Sequence, residues 1–256
     1  MRQGPLTLTV LGCAGSSYDP DLQDPCSSYL LKTHEAAVLL DCGFGSFASF
    51  LNYAHDCRLD AIVVSHAHGD HRADVDAFLS FTSAWRGRPR VIASRETLTA
   101  ISDQVSTNDV EMIVVADGSL FEGSGFLVEF SATTHQIATL AIQVTMRDVR
   151  VVYGADTGPG WRVPPSFQRP DLAILECSLE VRDDQSSPYH LDAREVGDLA
   201  QSLDALRTMI THVPPRGDAL ARLKRARRAA PERDFLLAVT GESVVVGPVF
   251  EPDLYR

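Results

Sequence analysis

The sequence lacks several features that would define a class of protein by themselves. No segment of the 256 residues reaches the ~18 to 20 uncharged apolar residues that a membrane span requires. The N-terminus enters a strand-like alternation without a separate apolar signal segment. The five cysteines form no CxxC pair and are odd in number, which argues against a disulfide framework. We therefore expect a cytoplasmic protein with reduced thiols and no membrane contact.

Positive charge is also scarce. The chain has 23 Lys and Arg against 34 Asp and Glu, which gives a formal net charge of −11. A long polyanion such as duplex nucleic acid would have to bind against the field of the whole protein. Bound divalent ions can still make one site locally positive. The charge balance therefore favours a small-molecule partner over a long nucleic acid.

The composition is that of a globular protein with a sizeable core, at 45% hydrophobic and 22% charged residues. No repeat, low-complexity tract or composition break marks a boundary, so residues 1–256 are predicted to form a single domain. Short apolar strand-like runs alternate with helical segments, and Arg147-Asp148 reads as a hairpin turn. Two strand-rich halves that each carry helices predict an α/β fold of two packed sheets with helices outside.

One segment concentrates groups that bind metals. Ser65-His66-Ala67-His68-Gly69-Asp70-His71 places three imidazoles and a carboxylate directly after an apolar strand. Imidazole and carboxylate are the ligand types for zinc and for borderline divalent ions. In an extended segment His66 and His68 share a face and can chelate one ion. Asp70 and His71 open the next helix and can take a second ion.

This HxHxDH pattern resembles the signature of the metallo-β-lactamase superfamily. The first strands of that superfamily are also similar to two segments of this chain, LTVLGCAGS and LLDCGFG. The order of elements is similar as well. The resemblance implies an αββα sandwich, that is, two mixed β-sheets flanked by helices, and a dinuclear metal-dependent hydrolase. It implies that the first ion is held by His66, His68 and His135. It implies that the second is held by Asp70, His71 and His212, with Asp156 bridging the two ions.

The two ions would trap a hydroxide between them, and Asp70 would orient this nucleophile and accept its proton. Zinc is the expected metal. Manganese and iron stay open, because imidazole and carboxylate sites accept several metals and availability decides.

A further histidine refines the predicted chemistry. SSPYHLDARE resembles the ribonuclease Z-like and phosphodiesterase-like branch, in which a histidine opening this helix lies near the leaving group. The resemblance implies that His190 is a general acid, although a purely local hydrogen-bonding role stays open. Glu176, in ILECS, is a candidate to orient His190, with a solvent-facing position as the alternative.

The spacing between two candidate ligands bears on the substrate. The tRNA-processing members of this branch carry a long inserted arm where only twenty residues separate His135 from Asp156 here. This compact hairpin and the chain length are similar to superfamily proteins thought to cleave cyclic nucleotides. The leading prediction is thus a phosphodiesterase acting on a small phosphodiester such as a cyclic nucleotide. HLDA replaces the HLT-type segment of the usual relatives, which weakens the inference about what His190 contacts.

Other functions are kept as alternatives. The same metal centre could hydrolyse a lactone, a carboxylic ester or a phosphotriester, and a tRNA 3′ endonuclease or a diiron redox protein is less favoured. A homodimer is left open. The aromatic stripe that could form its interface, line the pocket or pack in the core consists of Phe78, Phe81 and Trp85. A basic run could clamp phosphate or form the solvated face of a helix with Leu220, Leu223 and Ala226 inward; it consists of Arg222, Lys224, Arg225, Arg227 and Arg228.

Overall fold

A computed structural model describes residues 5–15, 24–85, 89–102 and 110–247, without the side chains of residues 82–85. In these ranges the chain forms two seven-stranded β-sheets. The first contains β1 (Leu6–Gly12), β2 (Ser28–Lys32), β3 (Ala37–Leu40), β4 (Ala61–Val64), β5 (Arg90–Ala93), β6 (Met112–Val114) and β14 (Ser243–Val246). Its order is β14-β1-β2-β3-β4-β5-β6. Strands β3 to β6 are parallel and the rest pair antiparallel, so the sheet is mixed.

The second sheet is mixed in the same way. It contains β7 (Leu120–Gly123), β8 (Phe126–Ala132), β9 (Leu140–Met146), β10 (Val149–Tyr153), β11 (Leu172–Glu176), β12 (Arg207–Thr211) and β13 (Asp234–Leu237). Its order is β13-β12-β11-β10-β9-β8-β7. Strands β10 to β13 are parallel, and β7 to β10 form antiparallel hairpins. The hairpin predicted at Arg147-Asp148 joins β9 to β10, and Arg147 adopts a positive φ of 57° there.

Helices cover the outer faces of both sheets. They are α1 (Ser46–Tyr53), α2 (Gly69–Arg72), α3 (Val75–Trp85), α4 (Arg95–Ser102), α5 (Ala193–Leu203) and α6 (Ala219–Ala229), with a 3₁₀ turn at Pro165–Phe167. Residues of α1, α3 and α4 pack in one apolar cluster with the first sheet. Residues of α5 and α6 pack with the second sheet. The predicted αββα sandwich is confirmed.

The central core lies between the two sheets. It combines inward-facing residues of β1, such as Leu8 and Val10, with those of β8 to β10, such as Phe130 and Ile142. These side chains are at most 1% exposed. The strands alternate sides with a period of two, so each sheet supplies one apolar face to this layer. The packed layer holds the two halves of the chain face to face.

The aromatic stripe that the sequence places after the histidine cluster lies on helix α3. Phe78 is fully buried, with its ring centroid 5.3 Å from Phe47 and 5.2 Å from Phe50. Phe81 packs edge-on against the same two rings. Phe78 therefore belongs to the core, and Phe81 is a partly buried residue that packs against it. The side chain of Trp85 lies outside the described residues.

The buried face of the basic helix α6 differs from the face that its sequence predicts. Leu223 and Ala226 are buried as predicted, but Leu220 is 60% exposed, so its predicted inward position is wrong. Arg222 is buried instead, and it donates from Nε to the Cys177 carbonyl at 2.9 Å. The buried stripe of α6 therefore begins at Arg222, and Leu220 lies beyond its edge. None of the helices in the described part of the chain combines the length and apolar character needed to cross a bilayer.

Candidate metal centre

The site lies where parallel strands of both sheets end. The HxHxDH segment follows β4, and His212 directly follows β12. Carboxyl ends of parallel strands meet at one edge of a sheet, and ligand sites form there. His135 and Asp156 were expected at strand ends, but each lies three residues beyond the end of its strand, β8 or β10. They occupy the loops that follow, and these loops reach the same edge.

The first donor set joins the two sheets. His66 Nε2 lies 3.0 Å from His68 Nδ1, and His135 Nε2 lies 3.2 Å from the same atom. Asp156 Oδ2 is 3.9 Å from His66 Nε2 and 3.7 Å from His135 Nε2. A tetrahedral zinc ion with imidazole ligands at ~2.0 to 2.1 Å separates neighbouring ligand atoms by ~3.3 Å. The spacing of these four donors suits one such ion.

The second donor set lies beside the first. His71 Nε2 and His212 Nε2 are 3.2 Å apart. Asp70 Oδ2 lies 3.7 Å from the first of these nitrogens and 3.3 Å from the second. Asp156 Oδ1 lies 3.3 Å from each of them. These atoms again converge on one point.

Asp156 belongs to both sets. Its two carboxylate oxygens face different groups of imidazole nitrogens, and the side chain is 3% exposed. Within the described part of the chain, Oδ1 is a buried atom without a hydrogen-bond partner. A buried carboxylate oxygen in that position costs free energy unless a cation compensates it. The arrangement thus fits two adjacent divalent ions with a shared carboxylate.

Asp41 orients two of the clustered imidazoles and was not among the residues predicted from the sequence. Its Oδ2 lies 2.7 Å from His71 Nδ1, 2.8 Å from the Ser65 hydroxyl and 2.7 Å from the Tyr153 hydroxyl. The Ser65 hydroxyl in turn lies 3.0 Å from His66 Nδ1. Because each Nδ1 donates, each Nε2 keeps its lone pair for the centre. The position of Asp41 directly after the buried strand β3 was the one available signal.

A second carboxylate acts in the same way on the other side. The Ser178 hydroxyl lies 2.8 Å from His212 Nδ1 and donates to Glu176 Oε2 at 2.5 Å. Glu176 is buried, and its Oε1 also accepts the Thr157 backbone N–H at 2.9 Å. The relay leaves His212 Nε2 free to face Asp70 and Asp156. The sequence suggested Glu176 as a partner of another residue but gave no sign of Ser178.

That other residue is His190, which borders the donor sets. Its Nδ1 lies 2.9 Å from Glu176 Oε1 and 3.9 Å from Asp156 Oδ2. Its ring stacks on His212 with centroids 5.9 Å apart, and its side chain is 18% exposed. The predicted contact with Glu176 is therefore present. The preceding residue also faces the site, because the Tyr189 carbonyl accepts from His135 Nδ1 at 3.2 Å.

The pKa values of these groups follow burial and the charges nearby. Burial alone would lower the pKa of His71 and of His212, but the carboxylate of Asp156 raises both above the usual range. Burial, followed by the nearby His71, lowers the pKa of His66 well below its usual range. Burial alone would raise the pKa of Asp70, but the hydrogen bond from His212 and neighbouring positive charge lower it. Burial alone would lower the pKa of His190, but the hydrogen bond and charge of Glu176 raise it above the usual value. Neutral imidazole and ionised carboxylate are the forms that bind metals.

A two-sheet αββα sandwich with histidines and aspartates gathered at one edge defines a metallo-hydrolase of the metallo-β-lactamase fold. The chain belongs to the family described as the beta-lactamase superfamily domain, whose model matches residues 36–213.

Individual relatives agree with this family. The chain is 29% identical over 221 residues to the probable metallo-hydrolase YhfI of Bacillus subtilis, covering 82% of this chain and 87% of that protein. The crystal structure of YhfI superposes with a TM-score of 0.83 at 24% identity, covering 95% of this chain and 99% of the other. Ribonuclease Z of Myxococcus xanthus is 29% identical over 191 residues, which cover 69% of this chain and 61% of that protein. A diphosphatase from the PhnP family has a TM-score of 0.71 at 19% identity, covering 93% of this chain and 97% of the other.

Proposed function

We propose that this protein is a dinuclear metal-dependent phosphodiesterase that cleaves a small phosphodiester such as a cyclic nucleotide. The observation that carries the proposal is the pair of donor sets that share Asp156, with His190 at their border. His66, His68 and His135 would hold the first ion together with Asp156. Asp70, His71 and His212 would hold the second ion together with Asp156.

Two divalent ions bound there would lower the pKa of a water molecule and neutralise charge on phosphoryl oxygens. Zinc suits the imidazole-rich set, and manganese or iron fits the same donors. The first residue to act would be Asp70, which lies in the first turn of α2. Its Oδ2 lies 3.3 Å from His212 Nε2. This carboxylate would orient the attacking water and accept its proton.

His190 would act at the other end of the broken bond. Its Nδ1 is held by Glu176 at 2.9 Å, so the ring is fixed beside Asp156 and the opposite nitrogen, Nε2, can serve the substrate. A protonated imidazole in this place would protonate a departing alkoxide. Glu176 would orient this acid and stabilise its positive charge.

Phosphoryl chemistry is favoured over carboxylic-ester chemistry by the His190 geometry and by two neighbours, one named as a ribonuclease and one as a diphosphatase. A small substrate is favoured by the net charge of −11 and by the short β9–β10 hairpin between His135 and Asp156. A lactone or ester stays the alternative substrate. The cytoplasmic location and a homodimer stay predictions, and size-exclusion chromatography with light scattering would test the dimer.

The test is a substrate panel on metal-analysed protein: a cyclic nucleotide, bis(p-nitrophenyl) phosphate and a simple lactone. His190→Ala should lower kcat for the cyclic nucleotide by ~100-fold, the ordinary size of general-acid catalysis. The loss should be much smaller for bis(p-nitrophenyl) phosphate, because p-nitrophenolate leaves without a proton. Metal content should not change.

His55→Ala is the matched control, since His55 is an exposed histidine outside the site. It should leave all three activities unchanged. Dominant lactone turnover would contradict the phosphodiesterase proposal. Equal losses on both phosphodiesters would contradict the general-acid role of His190.

A further inference from the structure

The segment that carries His190 is closed into a loop by one arginine. Arg182 donates from one terminal nitrogen to the Ser187 carbonyl at 2.7 Å and from the other to the His190 carbonyl. The same guanidinium pairs with both oxygens of Glu195, at 2.7 and 2.9 Å. Its own backbone N–H donates to Asp192 Oδ2 at 2.9 Å. Arg182 thus binds both ends of the loop and the start of α5.

The partners of Arg182 are themselves fixed. Asp192 is the N-cap of α5, and Glu195 completes a capping box with it. Such reciprocal caps define the first turn of a helix. A guanidinium with two carboxylate bonds has little freedom to turn. The loop is therefore anchored to the rigid N-terminus of α5.

The loop also lies tightly against the strand-end segment of the second sheet. A Cβ at Gly158 would lie 1.9 Å from the Pro188 carbonyl oxygen, so only glycine permits this approach. Gly158 itself donates to the Thr134 carbonyl at 2.7 Å, next to His135. The loop thus packs directly beside the segment that carries Asp156.

Two groups of this loop face the metal centre. The Tyr189 carbonyl accepts from His135 Nδ1, and His190 Nδ1 meets Glu176. We propose that Arg182 is a positioning residue that sets both the ring of His135 and the place of His190. It does so without touching substrate or donor atoms. The inference rests on the proposed function for the roles of His135 and His190.

Two variants and one control test it in the full-length, metal-loaded protein. Arg182→Ala removes the guanidinium, and Arg182→Lys keeps its charge without the fork that binds two oxygens. Arg194→Ala is the control, because Arg194 is an 82% exposed neighbour that pairs only with Asp198 among the described residues. Zinc affinity is measured by competition with a chelating dye. Kinetics are measured on the cyclic nucleotide.

In Arg182→Ala, the affinity for one of the two bound zinc ions should fall by ~10-fold. This is the effect expected when a ligand imidazole loses its orienting partner. Arg182→Ala should lower kcat by ~10-fold or more with little change in KM. At saturating zinc, adding it to His190→Ala should cause almost no further loss of kcat, since the effect of Arg182 on kcat would then pass through His190 and such effects are not additive. Arg182→Lys should resemble Arg182→Ala, and Arg194→Ala should resemble the wild type.

An additive loss of kcat in the Arg182→Ala, His190→Ala double variant would overturn the proposal. An Arg182→Ala protein with a lower Tm but unchanged zinc affinity and kcat would also overturn it. If Arg182→Ala does not fold, Arg182→Lys decides by the same readings. A wild-type protein that binds zinc but cleaves no phosphodiester would refute the proposed function alone. The zinc titration would then still decide whether Arg182 sets the ring of His135.

Discussion

The Asp41 carboxylate accepts four hydrogen bonds beside the candidate centre. Its Oδ1 accepts the Ser65 backbone N–H at 2.7 Å, while Oδ2 receives the Ser65 hydroxyl, His71 Nδ1 and the Tyr153 hydroxyl. The residue also adopts a positive φ of 57°, which is uncommon for residues other than glycine, although aspartate, asparagine and histidine adopt it more readily than the rest. A conformation of that kind persists only when surrounding contacts fix it. Contacts from both sheets therefore fix Asp41, and its carboxylate in turn links the two sheets.

Replacing this carboxylate tests that role. Asp41→Asn should weaken metal binding by ~10- to 100-fold, because an amide cannot accept from Ser65, His71 and Tyr153 together. Zinc competition titration measures the change. Asp60→Asn is a matched control, since Asp60 also accepts a backbone N–H, that of Ala37, at 2.9 Å. Equal affinities in the two variants would show that Asp41 does not orient His71.

The sequence predicts the clustered imidazoles better than their hydrogen-bond partners. His66 to His71 form a dense local pattern, and their spacing alone indicates a metal site. Ser178 and Asp41 act on rings that are 34 and 30 residues away. Such pairs meet only after the sheets form, so no local spacing records them. The Tyr189 carbonyl is a backbone atom and leaves no trace in residue type.

At the scale of elements, strand existence was easier to predict than strand ends. The apolar run before His135 continues through β-branched Thr133 and Thr134, which favour extended structure. The strand β8 nevertheless ends at Ala132, because the Thr133 N–H donates to the Thr139 carbonyl and closes a local loop. Tertiary hydrogen bonding thus overrides local propensity where the site begins.

Helices α5 and α6 pack closely through a glycine. A Cβ at Gly197 would lie 2.6 Å from Ala229 Cβ and 2.9 Å from the Ala226 carbonyl oxygen. Gly197→Ala should therefore lower the free energy of unfolding by ~1 to 3 kcal/mol, as overpacking does, despite the better helix propensity of alanine. Urea unfolding followed by circular dichroism measures it.

Ser202→Ala is the control for this helix, because Ser202 is exposed on α5. It should change stability by less than ~0.5 kcal/mol. A Gly197→Ala protein as stable as the wild type would show that the two helices separate at little cost. The packing of α5 would then not fix the end of the loop that carries His190.

At the scale of the whole molecule, the candidate centre joins the two sheets at one edge. The donors His66 to His71 follow the first sheet, whereas His135, Asp156 and His212 follow strands of the second. Between the sheets, the contact is mainly apolar, and the hydrophobic effect that stabilises it is non-directional. At the edge, the contact between the sheets depends on charged and polar groups. Without a cation, these groups repel one another or stay unpaired. Bound metal should therefore stabilise the sandwich as well as supply chemistry.

Metal removal tests this coupling. A ligand that binds only the folded state stabilises it by ~2.7 kcal/mol at a free concentration one hundred times its Kd. For a chain of about this size, 1 kcal/mol shifts Tm by ~2 to 4 °C. Chelation by EDTA should thus lower Tm by ~5 to 10 °C, and added zinc should restore it. A His66→Ala, His71→Ala double variant should show a reduced shift, since one ligand of each donor set is lost. An unchanged Tm after EDTA, with metal loss verified by mass spectrometry, would mean that apolar packing alone determines how the two sheets meet.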